Sequence, residues 1–170
     1  MMVPVKITNE MMLNARDKVA DMHKDGHLKN SIRRGAGALG GFLGEQIALK
    51  VMGGKWANTY DYDFVTDEGT RVEVKTKMTS VEPKPHYACS VARYNTRQDC
   101  DVYAFTRVMG DYSMGWFLGF MTKEEFYEKA ELFKKGQVIA DNNHDIKADC
   151  YSVAVKELRD VQDTGNGVLP

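Results

Sequence analysis

Asp63-Phe-Val-Thr-Asp-Glu-Gly-Thr-Arg-Val-Glu-Val-Lys75 is the stretch that decides how this chain is read. Apolar residues alternate with polar ones on both sides of Asp67-Glu68-Gly69, a triplet with the composition of a tight turn. The spacing predicts a hairpin with one strand over 62–66 and a second over 71–77. On the second strand Val72, Val74 and Thr76 face one way, and Arg71, Glu73, Lys75 and Lys77 face the other. Folding the hairpin brings Asp63 beside Glu73. Two carboxylates and a lysine that converge at the end of a sheet form a hard-oxygen site suited to Mg²⁺, with the lysine placed to orient or deprotonate a water. The competing reading is a solvated strand face, because charge pairs two residues apart are ordinary on exposed strands.

Working outward, the segment before the hairpin is helical in pattern. A helix is expected over 31–52, ending at Gly53-Gly54, with Leu39, Phe42 or Leu43, Ile47 and Val51 as its apolar stripe and Glu45 on it. Its first half, Gly35-Ala-Gly-Ala-Leu-Gly-Gly-Phe-Leu-Gly44, is poor in helix propensity, which implies close packing against another element. An earlier helix is expected over 9–24, capped by Thr8 or Asn9 and stopped by Gly26. After the hairpin, strands are expected over 86–91, 101–108, 115–121 and 151–155, with a short helical or turn segment over 94–98. Thr122-Lys-Glu-Glu125 fits a capping box opening a helix that Gly136 ends. The fold expected is therefore α/β or α+β: one domain over 1–162 with a central mixed sheet flanked by helices, and a tail over 163–170 that reads as disordered.

The chain resembles the PD-(D/E)XK nuclease superfamily, with its restriction-endonuclease-like fold. The residues that carry the resemblance are Gly44-Glu45, Tyr62-Asp63-Phe64-Val65, Val72-Glu73-Val74-Lys75-Thr76 and Cys100-Asp101-Val102-Tyr103-Ala104-Phe105. It covers about half the chain, from Ser31 to Val108. The segments outside are elaborations: an extra N-terminal helix and a C-terminal strand-helix-strand. No proline precedes Asp63, where the family name records one, and Asp61 competes with Asp63 for the motif position. The resemblance implies an αβββαβ core and a magnesium-dependent endonuclease that hydrolyses DNA phosphodiester bonds. By the same resemblance, Asp63 and Glu73, with the Val74 carbonyl, bind Mg²⁺ or Mn²⁺. Lys75 positions and helps deprotonate the attacking water, and Glu45 holds a metal-bound water or a second metal. Arg33, Arg34, Lys77, Arg93 and Arg97 are the basic residues expected to meet DNA phosphates; Tyr87 and Tyr94 are candidates for stacking on bases, against the commoner role of a strand tyrosine as a core residue. The alternative on the same fold is a non-catalytic nucleic-acid-binding or assembly protein.

Other motifs fail on their own terms. Gly35-Ala-Gly37-Ala-Leu-Gly40 matches a dinucleotide fingerprint by letter, but a polar, basic segment and not a strand precedes it. An EF-hand loop starting at Asp61 would place Val65, Thr66 and Val72 at positions five, six and twelve, where ligands or glycine are required. Asn142-Asn143-His144-Asp145 lacks the partners of an HNH nuclease and reads as a solvated loop. Cys89, Cys100 and Cys150 are too widely spaced for a zinc knuckle and read as reduced thiols in a cytoplasmic protein. No apolar run suits a membrane span, and the N-terminus lacks the apolar core of a signal peptide. A homodimer is left open.

Charge agrees with the site once its distribution is considered. The 170 residues hold 23 Lys and Arg against 24 Asp and Glu, a formal charge of −1 that excludes a histone-like basic coat. Within that total, Asp61, Asp63, Asp67 and Glu68 form an acidic stretch. It is followed over 71–97 by Arg71, Lys75, Lys77, Lys84, Arg93 and Arg97 against only Glu73 and Glu82.

Overall fold

The structure is a computed structural model that describes residues 2–25, 37–57, 59–139 and 144–161. Its elements begin with β1 (Val3–Lys6), α1 (Asn9–Asp25), α2 (Ala38–Met52), β2 (Lys55–Trp56), β3 (Phe64–Val65) and β4 (Arg71–Thr79). They continue with β5 (Ala88–Ala92), a 3₁₀ turn (Arg93–Asn95), β6 (Val102–Met109), β7 (Met114–Thr122) and α3 (Lys123–Lys129). The last are β8 (Glu131–Phe133), β9 (Val138–Ile139), β10 (His144–Asp145), β11 (Cys150–Ala154) and a closing 3₁₀ turn (Val155–Glu157).

Among the described residues, the main sheet has six strands in the order β1-β7-β6-β4-β3-β2. Strands β2, β3 and β4 form an antiparallel meander, and β6 runs parallel to β4 with Glu73 opposite Tyr103 and Lys75 opposite Phe105. Strand β7 returns antiparallel to β6. Alternation along β4 sorts its residues into two layers. Val72 and Val74 join Val102, Ala104, Leu43, Ile47, Ala15 and Met11 in a core beneath α1 and α2. On the opposite face, Tyr103, Phe105, Trp116 and Leu118 pack with Cys89, Val91 and Val153 of a second sheet, ordered β5-β11-β8. Arg107, fully buried on β6, ties the two sheets together by donating to the Ala88 carbonyl at 3.0 Å.

The glycine-rich half of α2 has the close contact its composition implies. A Cβ at Gly44 would collide with the hydroxyls of Thr76 and Thr106, which bond each other at 2.8 Å across β4 and β6. At the turn between β3 and β4, Gly69 has φ +90 and its N–H reaches the Thr66 carbonyl at 2.9 Å, a conformation that suits a residue without a side chain.

The mixed α+β class matches expectation, and several details differ. The pattern does not announce β1, because Pro4 interrupts a short stretch; among the described residues β1 pairs with β7 alone, at the sheet edge, where proline is tolerated. The helix opened by Thr122 ends at Lys129 and does not reach Gly136, because Glu131–Phe133 is drawn into pairing with β11. Between β4 and β6 the expected strand and short helical turn are present as β5 and one 3₁₀ turn, but β5 belongs to the second sheet and not to the central one. The start of the helix expected at 31 and the tail 163–170 lie outside the described residues. No helix among the described residues is long and apolar enough to cross a membrane.

Candidate active site

Strand β3 is short. Its first residue, Phe64, pairs with Val72, so beyond Val72 the outer edge of β4 faces a notch in the sheet. Asp63, immediately before β3, sits in this notch: its N–H donates to the Val72 carbonyl at 2.9 Å, and its Oδ2 accepts from the Val74 N–H at 2.8 Å. In an extended strand the N–H and C=O of one residue leave on the same side, so the Val74 carbonyl also points into the notch. Glu73 and Lys75 leave β4 side by side, and the Lys75 Nζ donates to Glu73 Oε1 at 2.7 Å. Glu45 enters from α2, one residue beyond the contact of Gly44 with the sheet, and its carboxyl is close enough to that of Asp63 for each to shift the other's proton affinity. The hairpin residues and the helix residue are thus brought together. Asp61 is not part of this group; its Oδ1 accepts from the Asp99 N–H at 3.1 Å.

Two members of the site were not legible in the sequence. Gln98, buried after the 3₁₀ turn, accepts from Lys75 Nζ at 2.9 Å and donates to Glu73 Oε1 at 3.1 Å and to the Tyr60 carbonyl at 2.8 Å. Its backbone carbonyl is held in turn by Lys123. Lys18 of α1 lies 3.4 Å from Glu45 Oε2 and 3.8 Å above the centroid of the Trp56 ring. These contacts join residues 25 and 27 positions apart, and no local pattern announces them.

Electrostatically the cluster is under pressure. Withdrawal from water, followed by the Asp63 charge, raises the Glu73 carboxyl to about 8 despite Lys75. Glu45 is raised to about 7, chiefly by burial and against the pull of Lys18, with Glu73 adding to the rise. Asp63 is pushed well above the usual carboxylate range by burial and by Glu45, while the Val74 N–H opposes the shift. Three carboxyls that resist joint ionisation are groups a divalent cation would stabilise. Their donors are all hard oxygens, the kind Mg²⁺ and Mn²⁺ take. Among the described residues, however, no three acidic, histidine or cysteine side chains already stand as a ligand cage. Glu73 Oε1 is turned toward Lys75 and Gln98, and Glu45 Oε2 toward Lys18. The residues fit such an ion in kind, with those oxygens reorienting to take it.

The other basic candidates are dispersed. Arg97 is exposed, and Arg93 is exposed with its guanidinium 3.7 Å from Asp149. Lys77 lies beside Lys75 and Arg107 in a small cleft between β4 and β5 and not on an open surface. Tyr94 is 41% exposed, whereas Tyr87 is buried against Arg107, in the core role commoner for a strand tyrosine and not as a stacking residue. Arg33 and Arg34 lie outside the described residues. Compared with known proteins, the chain matches no protein-family model and no curated protein.

Proposed function

We propose that this chain is a divalent-metal-dependent nuclease of the PD-(D/E)XK type that hydrolyses DNA phosphodiester bonds as an endonuclease. The observation that carries the reading is the convergence of Asp63, Glu73, Lys75 and Glu45 in the notch where β3 begins. The order of α2, the β2-β3-β4 meander and a parallel β6 is consistent with the restriction-endonuclease-like core. The replacement of the second core helix by a 3₁₀ turn is a departure from it.

Asp63, Glu73 and the Val74 carbonyl would hold Mg²⁺ or Mn²⁺. The bound ion would lower the pKa of a coordinated water and neutralise charge on the phosphate. Lys75, braced by Gln98, would aim its ammonium at the attacking water and at the phosphate oxygen that gains charge. Glu45 would accept a hydrogen bond from the water. Arg93 and Arg97 would meet flanking phosphates, and the exposed rings of Tyr60 and Tyr94, close enough to influence each other, offer faces for unpaired bases.

Closed circular plasmid with Mg²⁺ tests the reading, because a circle has no ends for an exonuclease. Nicked or linear product is expected from the native chain, and at least a 10²-fold loss from Glu73→Ala and Lys75→Ala. Equal cutting by all three, or by none, would contradict it. The internal pairing of Glu73 with Lys75 favours a second reading, a non-catalytic nucleic-acid-binding or assembly protein on the same fold. That reading expects no Mn²⁺ uptake in calorimetry and DNA binding that is indifferent to divalent ions.

A further inference from the structure

Lys18 belongs to α1, an element that the hairpin and its motif do not require. It is nevertheless held in place: Met11 and Ala15 anchor α1 in the core, and the Gln46 side chain donates to the Met11 carbonyl at 2.9 Å. The ammonium therefore reaches Glu45 from a fixed base, across the faces of Trp56 (3.8 Å) and Phe42 (5.4 Å), whose electron-rich surfaces favour a cation. With 26% of its side chain exposed, it is mostly withdrawn from water.

The arrangement is two-sided. Lys18 stands on the outer carboxylate Glu45, Lys75 on the outer carboxylate Glu73, and Asp63 lies between them on the Val74 N–H. Three carboxylates and two ammonium groups leave one net negative charge when all are ionised. One divalent ion and one phosphodiester would bring the assembly to neutrality. A second divalent ion would leave an excess of two positive charges in a poorly hydrated notch, where like charges repel strongly.

We infer that Lys18 takes the place of a second cation beside Glu45, so that the site binds one divalent ion and not two. The inference rests on the metal-dependent reading above. Lys18 is thus a positioning residue: it keeps Glu45 available to a water and away from a second ion.

Calorimetric titration of the full chain with Mn²⁺, together with the electron paramagnetic resonance spectrum of the loaded protein, reads this directly. The native chain is expected to take up one Mn²⁺. Lys18→Met keeps the apolar stem over Trp56 but removes the charge, and is expected to take up two, with the broadened spectrum of coupled ions. Lys18→Arg should return the stoichiometry to one. Lys18→Gln provides the same test with a polar side chain if the methionine variant does not fold. A native stoichiometry of two, or neutral variants that stay at one or fall to none, would overturn the role of Lys18 alone. Absence of Mn²⁺ uptake by every form would overturn the metal reading and this inference with it.

Discussion

Gln98 is the residue on which the geometry of Glu73 and Lys75 depends most. Its amide carbonyl accepts from Lys75 while its NH₂ donates to Glu73, so one planar group fixes the relation between the two. Outer partners of this kind typically contribute 10–100-fold to activity or metal affinity. Gln98→Leu is accordingly expected to slow single-turnover cleavage by about 10–100-fold while DNA affinity measured by fluorescence anisotropy changes less than about threefold. A loss of affinity with an unchanged cleavage step would place Gln98 in binding instead. The difference between Gln98 and the motif residues also shows what could be read in advance. Asp63, Glu73 and Lys75 are joined through a local turn and a period of two, so their convergence follows from 13 residues of sequence. Gln98 and Lys18 reach the cluster only through the packing of distant elements, and nothing in their neighbours marks them.

The element that delivers Glu45 is α2, and its position depends on the absence of a side chain at Gly44. Gly41, one turn earlier, is a control supplied by the fold, since a Cβ there would meet nothing within 4 Å. The two alanine substitutions should therefore move stability in opposite directions. Gly41→Ala is expected to stabilise by about 0.5–1 kcal/mol through helix propensity. Gly44→Ala is expected to destabilise by about 1–3 kcal/mol, because a methyl group must displace the Thr76 and Thr106 hydroxyls. Urea unfolding midpoints of the two variants check this, and equal shifts would show that α2 does not seat on β4 and β6 through Gly44. The glycine pattern predicted this contact but not its partner. α3 teaches the opposite lesson. Its Thr122 cap forms as the sequence suggests, with Glu125 N–H donating to Thr122 Oγ1 at 3.2 Å, while its end is set by strand pairing that has no local signature.

At the scale of the whole molecule, the buried carboxyl cluster couples folding to proton and metal concentration. A carboxyl whose pKa is higher in the folded chain than in the unfolded chain binds its proton more tightly when folded. Its contribution to stability is complete below the ordinary carboxylate range and is lost as pH rises through the folded value. Those values are about 8 for Glu73 and about 7 for Glu45, and Asp63 is raised as well. The metal-free chain is therefore expected to lose stability steadily between about pH 5 and about pH 8.5, opposite to a protein whose carboxylates are held by salt bridges. Glu73→Gln removes one of the raised groups and should flatten the dependence. Divalent ions should restore stability most at the alkaline end, where ionised carboxylates receive them without releasing protons. At 100 times its dissociation constant, one bound ion contributes about 2.7 kcal/mol. Urea unfolding across this pH range, with and without Mg²⁺, measures both slopes. A metal-free stability that rises with pH, or a magnesium effect that is equal at both ends, would mean that the three carboxyls do not act as one coupled site.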